Sequence, residues 1–287
     1  MSKTHISKFE LFDTHAHMGM IDGGLQVESL IHAQFDGRFP AATDMQEDFD
    51  KFCEFQMVGI VTPGTTVESS HQSILLAKKY PFLYAAVGIH PNNTGKVNQN
   101  DWSEIAELSK NQCVTAIGET GLDRYWDTVP FEIQLQFFER HLELAKERNL
   151  PILIHSRDCD VDMLAILGHA AKVSPIYGMI HSFSSTPDVA ARYLDMGLYI
   201  SFSGALTYTN KKFSILREAA KVVPDDRLLV ETDSPFLTPH PYRGKLDNNV
   251  PLMTAYVVQT LAKLRGTTIE AIATLTTANA RKIFRKK

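Results

Sequence analysis

Short apolar runs alternate with helix-spaced stretches along most of this chain. Lys8-Phe9-Glu10-Leu11-Phe12 has the period-2 alternation of a strand. Val58-Gly59-Ile60-Val61-Thr62 is an apolar run closed by Pro63-Gly64, which predicts a strand and a turn. Further apolar runs fill residues 83–89, 114–117, 152–154, 176–180, 198–202 and 228–232. Between them the apolar residues fall at helical spacing over 44–57, 68–80, 102–111, 161–172, 188–196, 214–222, 250–265 and 269–284. The clearest helix covers 130–149, with Pro130 at its entry and Leu135, Phe138, Leu142 and Ala145 at core spacing. Residues 18–43 have no clean period and read as a long loop, with one helical turn at 28–34.

The strand candidates therefore centre on Phe12, Ile60, Val87, Ile117, Leu153, Ile180, Ile200 and Leu229, with helices between nearly all of them. Near-continuous apolar strands alternating with helices imply a parallel sheet buried on both faces. Eight such units predict an α/β fold that is a closed (β/α)8 TIM barrel, with its active site at the C-terminal ends of the strands. No Pro- or Ser-rich linker, internal repeat or low-complexity tract divides the chain, so residues 1–287 are expected to form one domain.

Composition narrows the function classes. With 287 residues, 44% hydrophobic and 22% charged, the chain is ordinary for a globular protein, and its net charge of −4 argues against a basic, duplex-coating binder. Local grip on phosphates, especially through bound cations, remains compatible with that charge. Cys53, Cys113 and Cys159 are widely spaced and odd in number and form no CxxC pair, so neither a zinc ribbon nor a disulfide framework is suggested. The segment Met1-Ser2-Lys3-Thr4-His5 lacks a signal peptide's apolar stretch, and no apolar run approaches the roughly 18 residues of a membrane span. A cytoplasmic protein with no membrane association and no obligate protein partner is the expectation.

Ionisable residues gather at the strand ends. His15 and His17 follow the first strand, His90 the third, Glu119 the fourth, His155 the fifth, His181 the sixth and Asp233 the eighth. In a barrel all these positions face one mouth. Each has a structural alternative, as a satisfied core histidine or a turn or helix cap, but unpartnered buried ionisable groups are costly and their joint placement at matching ends points to metal ligation. Imidazole and carboxylate donors without thiolate suit zinc, manganese or magnesium, in sufficient number for two divalent ions. Glu119, near the middle of the ring, is the natural bridging carboxylate, and Asp233 can bind a metal and take the proton of an attacking water.

Several long motifs carry a resemblance. Phe12-Asp13-Thr14-His15-Ala16-His17, Ala85-Ala86-Val87-Gly88-Ile89-His90-Pro91, Gly118-Glu119-Thr120-Gly121-Leu122-Asp123, Pro151-Ile152-Leu153-Ile154-His155-Ser156-Arg157 and Glu231-Thr232-Asp233-Ser234-Pro235-Phe236-Leu237-Thr238-Pro239 resemble the TatD family of metal-dependent hydrolases, within the amidohydrolase-like barrels. The resemblance implies that His15, His17 and Asp233 hold one metal, that His155 and His181 hold the other, that Glu119 bridges them, and that His90 faces the substrate phosphate. Family members are mostly described as nucleases acting on DNA, sometimes RNA, and a few as aminoacyl-tRNA deacylases. Two departures stand out: the 18–43 loop is longer than usual in the family, and the family's Asn-Glu-Pro reads Asn249-Val250-Pro251 after Arg243-Gly244-Lys245.

Arg124, Arg157, Arg243 and Lys245 lie just after strand ends and are candidate phosphate ligands. Arg157 could equally anchor Asp158 or Asp123, and Tyr125 and Trp126 are candidates to stack on an unpaired base or to be buried. The leading expectation is a two-metal nuclease on single-stranded or end-directed nucleic acid. Hydrolysis of a carboxylic ester or C–N bond, as by an aminoacyl-tRNA deacylase, comes second, and a non-catalytic barrel scaffold third.

Overall fold

The computed structural model describes residues 9–20, 55–246 and 248–285. Eight parallel strands run in sequence order: β1 (Phe9–Asp13), β2 (Phe55–Pro63), β3 (Leu83–Val87), β4 (Val114–Asp123), β5 (Ile152–Arg157), β6 (Gly178–Ile180), β7 (Tyr199–Phe202) and β8 (Leu228–Val230). The helices are α1 (Val67–Lys79), α2 (Asp101–Leu108), α3 (Phe131–Arg148), α4 (Asp160–Ala171), α5 (Pro187–Asp195), α6 (Ser214–Val222), α7 (Thr254–Arg265) and α8 (Ile269–Ile283). This is the expected (β/α)8 barrel. Its seam closes just beyond β1 and β8: the Thr14 N–H donates to the Val230 carbonyl at 3.1 Å, the Asp233 N–H donates to the His15 carbonyl at 2.9 Å, and Ala16 bridges Ser234 in parallel.

Period-2 geometry divides the strand residues into two sets. Phe12, Val61, Ala86, Ala116, Leu153, Met179, Tyr199 and Leu229, one per strand, pack together with Ala280, Ile283 and Phe284 from the end of α8. They form the barrel's interior layer, floored where the Phe284 ring stacks on Phe12 at 6.1 Å. The alternate residues, such as Leu11, Ile60, Val87, Ile117, Ile154, Ile180, Ile200 and Val230, join the apolar faces of the helices. Gly59 is required beside Phe12, because a Cβ there would sit 2.2 Å from its ring.

The helices start and stop where local chemistry allows. Thr66 caps α1 through a reciprocal box with Ser69, and Thr186 and Thr268 accept from the third residues of α5 and α8. Pro130 directly precedes α3, and Asn149 ends it in the left-handed conformation at φ 53°. No helix among the described residues is long and apolar enough to cross a membrane.

Two expectations need correction. Residues 55–57, assigned to a 44–57 helix, belong to β2 and pair with Phe9, Glu10 and Leu11. Phe55 and Met57 are buried while Gln56 between them is exposed, so period 2 prevails over helical spacing there. The rest of that stretch, like most of the 18–43 loop, lies outside the described residues. The second correction is β4, which does not stop at Ile117 but runs buried to Asp123. Its register against β5 shifts between Ile117 and Thr120, with Gly118 and Glu119 standing opposite Leu153 alone. Gly118 at φ 138° lies over Leu153, where a Cβ would approach the Leu153 carbonyl oxygen to 2.7 Å. Glycine thus permits a bulge that bends the strand instead of ending it.

Candidate metal centre

The interior layer explains how the site is built. Two residues beyond Leu153, Met179 and Leu229 on the same inward face stand His155, His181 and Glu231. The bulge delivers Glu119 to the same level from β4. His15 and His17 extend past β1, and Asp233 follows β8 in the left-handed conformation at φ 60°. Asp13 fastens these two segments: it accepts hydrogen bonds from the His15 N–H at 3.1 Å and from the Thr232 N–H at 3.0 Å. The sequence places Asp13 in a motif but gives it no role. Structurally it ties the first and last ligand-bearing segments together.

The other five residues named as metal ligands, His15, His17, His155, His181 and Asp233, gather around Glu119, whose two carboxylate oxygens face different partners. Oε2 lies 3.2 Å from His15 Nε2 and 3.5 Å from His17 Nε2, each of which is also within 3.7 Å of Asp233 Oδ1. Oε1 lies 3.1 Å from His155 Nδ1, 3.0 Å from His181 Nε2 and 3.4 Å from His90 Nε2. His15, His17 and Asp233 bring ligand atoms within 4.8 Å of one another, as do His90, Glu119 and His155. Glu119 Oε2 is buried and, among the described residues, has no hydrogen bond of good geometry despite its close nitrogen neighbours. Imidazole nitrogens and carboxylate oxygens crowded this closely, with no thiolate among them, suit a cation, so the donors present fit divalent metal.

Electrostatics keeps the carboxylates ready to ligate. Burial alone would raise the Glu119 carboxyl, but His181, His90 and His15 around it hold it well below the usual range. Asp233 behaves likewise: burial opposes ionisation, and the bond from His17 with the charges of His181 and His15 brings the carboxyl down. For His181, burial disfavours the imidazolium, yet Glu119 and Glu231 together raise it well above the ordinary histidine range. His15 goes the other way, since burial and neighbouring His181 keep it neutral.

An outer ring orients the inner one. His155 Nε2 donates to Asp123 Oδ2 at 3.0 Å, which leaves Nδ1 to face Glu119. His181 Nδ1 lies 3.3 Å from Glu231 Oε1, which also accepts the Ser182 N–H at 2.7 Å. Carboxylates behind histidines fix the tautomer that presents a lone pair inward. Burial would raise the Asp123 carboxyl, but the His155 bond and charge, then the Trp126 N–H and the Asn92 amide, bring it to about 2. Neither Asp123 nor Glu231 was assigned an outer-ring role from the sequence. For Glu231 a signal existed: a carboxylate two residues after inward Leu229 must find a partner in the mouth.

His90 caps a 3-10 turn over Pro91–Lys96, its Nδ1 accepting the Asn92 N–H at 3.1 Å, so Nε2 carries the proton toward Glu119. The candidate phosphate cations fare unequally. Arg124 donates twice to Asp162 on α4, at 2.8 and 3.0 Å, with its guanidinium over Phe131, so it braces two surface segments away from the ligands. Arg157 stacks on Tyr125 at 3.7 Å instead of pairing with Asp123 or Asp158. Arg243 lies over Tyr208 at 3.9 Å, and Lys245 is exposed near it in sequence. Tyr125 and Trp126 are 53% and 51% exposed, which removes the burial alternative.

Comparison with known proteins agrees with this geometry. Residues 12–285 match the model of the TatD-related DNase family. An uncharacterized metal-dependent hydrolase of Bacillus subtilis, YabD, is 38% identical over 275 residues, covering 96% of this chain and 99% of the relative. YcfH of Escherichia coli K12, also an uncharacterized metal-dependent hydrolase, is 38% identical over 279 residues, covering 96% and 95%. Among solved structures, the TatD homologue YjjV of Escherichia coli superposes with a TM-score of 0.81 at 27% identity, covering 97% of this chain and 98% of that one.

Proposed function

We propose, for a chain that belongs to the TatD-related DNase family of metal-dependent hydrolases, that the reaction is cleavage of phosphodiester bonds in nucleic acid, DNA foremost. Single-stranded stretches or chain ends are the substrate, and a pair of divalent ions, zinc, manganese or magnesium, is the cofactor. Glu119 carries this reading: its two oxygens serve two donor sets, His15 with His17 and Asp233 on one side, His155 with His181 on the other. Bound there, such ions would lower the pKa of a water toward about 7 and polarise a phosphoryl oxygen.

The chain's own groups supply the rest. Asp233, held ionised and partly open to the mouth, accepts the proton of the attacking water. His90 presents Nε2–H beside the ligands, where it can donate to a phosphoryl oxygen. Arg243 and Lys245 are exposed cations after β8 that suit a phosphate backbone, whereas Arg124 is engaged by Asp162. A net charge of −4 confines attraction to such local points and favours flexible single strands over wrapped duplex.

The test is a labelled single-stranded oligonucleotide with the protein and magnesium, manganese or zinc, run beside Asp233→Asn. Metal-dependent cleavage that Asp233→Asn loses supports the reading. Equal cleavage by both proteins overturns it, and release of amino acid from aminoacyl-tRNA without nucleotide release would replace it with ester hydrolysis.

A further inference from the structure

Beside the ligands, a cavity of about 380 Å³ opens between the Pro91–Lys96 turn and the loop after β4, lined by Asn92, Gly95, Lys96, Trp126, Thr128 and Val129. Two of these residues are joined to the metal-ligand candidate His155 through a single shared carboxylate, Asp123. Asn92 Nδ2 donates to Asp123 Oδ2 at 3.1 Å, the oxygen that also holds His155 Nε2 at 3.0 Å. The backbone N–H groups of Tyr125 and Trp126 donate to Asp123 Oδ1 at 2.8 and 3.1 Å. One carboxylate therefore fixes a metal-ligand candidate, one wall of the cavity and the backbone of the other.

The aromatic wall is braced while staying half exposed. Arg157 lies over the Tyr125 ring at 3.7 Å, and Tyr125 meets Trp126 edge to face at 4.9 Å. Trp126 thus offers solvent a large ring whose position is set from behind. Lys96 places a cation in the lining, and the Asn92 side chain is held in place by its bond to Asp123. A flat aromatic face and a cation around a volume of this size match a nucleotide: a base for the indole, a phosphate for the ammonium.

We infer that this cavity is a nucleotide subsite, in which the base next to the scissile phosphate stacks on Trp126 while Lys96 meets that nucleotide's phosphate. The inference rests on the nuclease reading for its substrate class. Asp123 acts here as a positioning residue, registering the stacked base against His155.

Trp126 also supplies the readout, since the chain has only one other tryptophan, Trp102. In full-length Trp102→Phe protein, adenosine 5′-monophosphate is expected to quench the remaining indole saturably, and ribose 5-phosphate is not. In Trp126→Phe protein, with Trp102 intact, the nucleotide response should disappear, which provides the test even if Trp102→Phe folds poorly. For a single-stranded oligonucleotide, Trp126→Ala should raise KM about tenfold, with a smaller effect on kcat, and Trp126→Phe should restore most of the loss. Equal responses to the nucleotide and the sugar phosphate, or a response that survives in Trp126→Phe, would overturn the subsite. Base-dependent quenching without hydrolysis of any phosphodiester leaves the subsite standing and removes the reaction. Hydrolysis without quenching does the reverse.

Discussion

At the floor of the barrel, Phe12, Tyr84 and Phe284 bring their rings together on the axis, with Phe12 and Tyr84 5.0 Å apart. At the opposite end of the barrel interior, the mouth is lined by His155, partly buried, and by His181, Glu231 and Glu119, all buried, close enough to repel or pair. The floor is what a core looks like when stability alone decides: aromatic and aliphatic side chains packed on one another. The mouth keeps Glu119 Oε2, among the described residues, without a hydrogen bond although two imidazole nitrogens that also face the Asp233 carboxylate crowd it, an arrangement that a cation would complete. Mutations at the two levels should therefore separate activity from stability.

The largest effect belongs to the mouth. Glu119→Gln should lower kcat/KM by more than about 10³-fold, roughly 4 kcal/mol of barrier, and lower bound divalent metal measured by elemental analysis. Treatment of the unaltered protein with a chelator should reproduce the loss, with activity returning on metal addition. Retained metal and activity in Glu119→Gln would end the bridging assignment. At the floor, Phe284→Ala should cost about 3–5 kcal/mol in denaturant unfolding while the folded fraction keeps its kcat/KM. A loss of specific activity there would mean that the two levels are mechanically coupled.

Histidine itself sharpens the contrast, because His141 on α3 is equally buried and has no place in the mouth. Its Nδ1 donates to the Phe137 carbonyl and its Nε2 accepts the Ile89 N–H at 3.1 Å. Burial pushes its pKa down to about 4. The unfolded chain takes up this proton below about pH 6.5 and the native state does not until about 4. His141 thus contributes full stability above pH 6.5 and loses it as pH falls, by about 3 kcal/mol at pH 4. His141→Gln, which can keep both hydrogen bonds, should flatten the stability–pH slope between pH 6.5 and 4 relative to the unaltered protein. An unchanged slope would show that His141 does not titrate this way.

Between inner ligands and floor lies the outer ring. Asp123→Asn keeps the shape but removes the charge that His155 donates to, and should weaken metal binding about 10- to 100-fold. Competition against a fluorescent chelator measures it, and undiminished affinity would reduce Asp123 to a loop anchor.

What could be read from the sequence follows the range of the interactions. The barrel and the convergence of His15, His17, Glu119, His155, His181 and Asp233 were legible because period 2 and apolar runs fix which strand end each occupies. Residues 55–57 were misread because two aromatics, Phe52 and Phe55, at helical spacing mimic a helix face, and only pairing with β1 reveals the strand. The extent of β4 was missed because Gly118 and Gly121, the punctuation of a turn, here sit at φ 138° and 146° inside a continuing ladder. Asp123's fourfold bonding depends on Asn92, 31 residues before it, and on His155, 32 after it.

Arg124 gives the smallest effect and the cleanest check on how the mouth ends. By sequence it is an arginine just beyond the strand that bears Glu119, the position of a phosphate ligand. Its partner Asp162 is 38 residues away on α4, and two aligned bonds with a ring beneath the guanidinium hold it there. Both side chains are substantially exposed, so solvent screens the pair and its loss should barely move stability. Arg124→Ala should change kcat/KM by about twofold or less and leave the salt dependence of oligonucleotide binding unaltered. Lys96→Ala should instead make that dependence shallower, because a lysine that meets phosphate releases about one counterion from the strand when it binds. If Arg124→Ala flattened the salt dependence as much as Lys96→Ala, the cationic mouth would extend to α4, and the division between substrate-facing and bracing cations drawn from this geometry would be wrong.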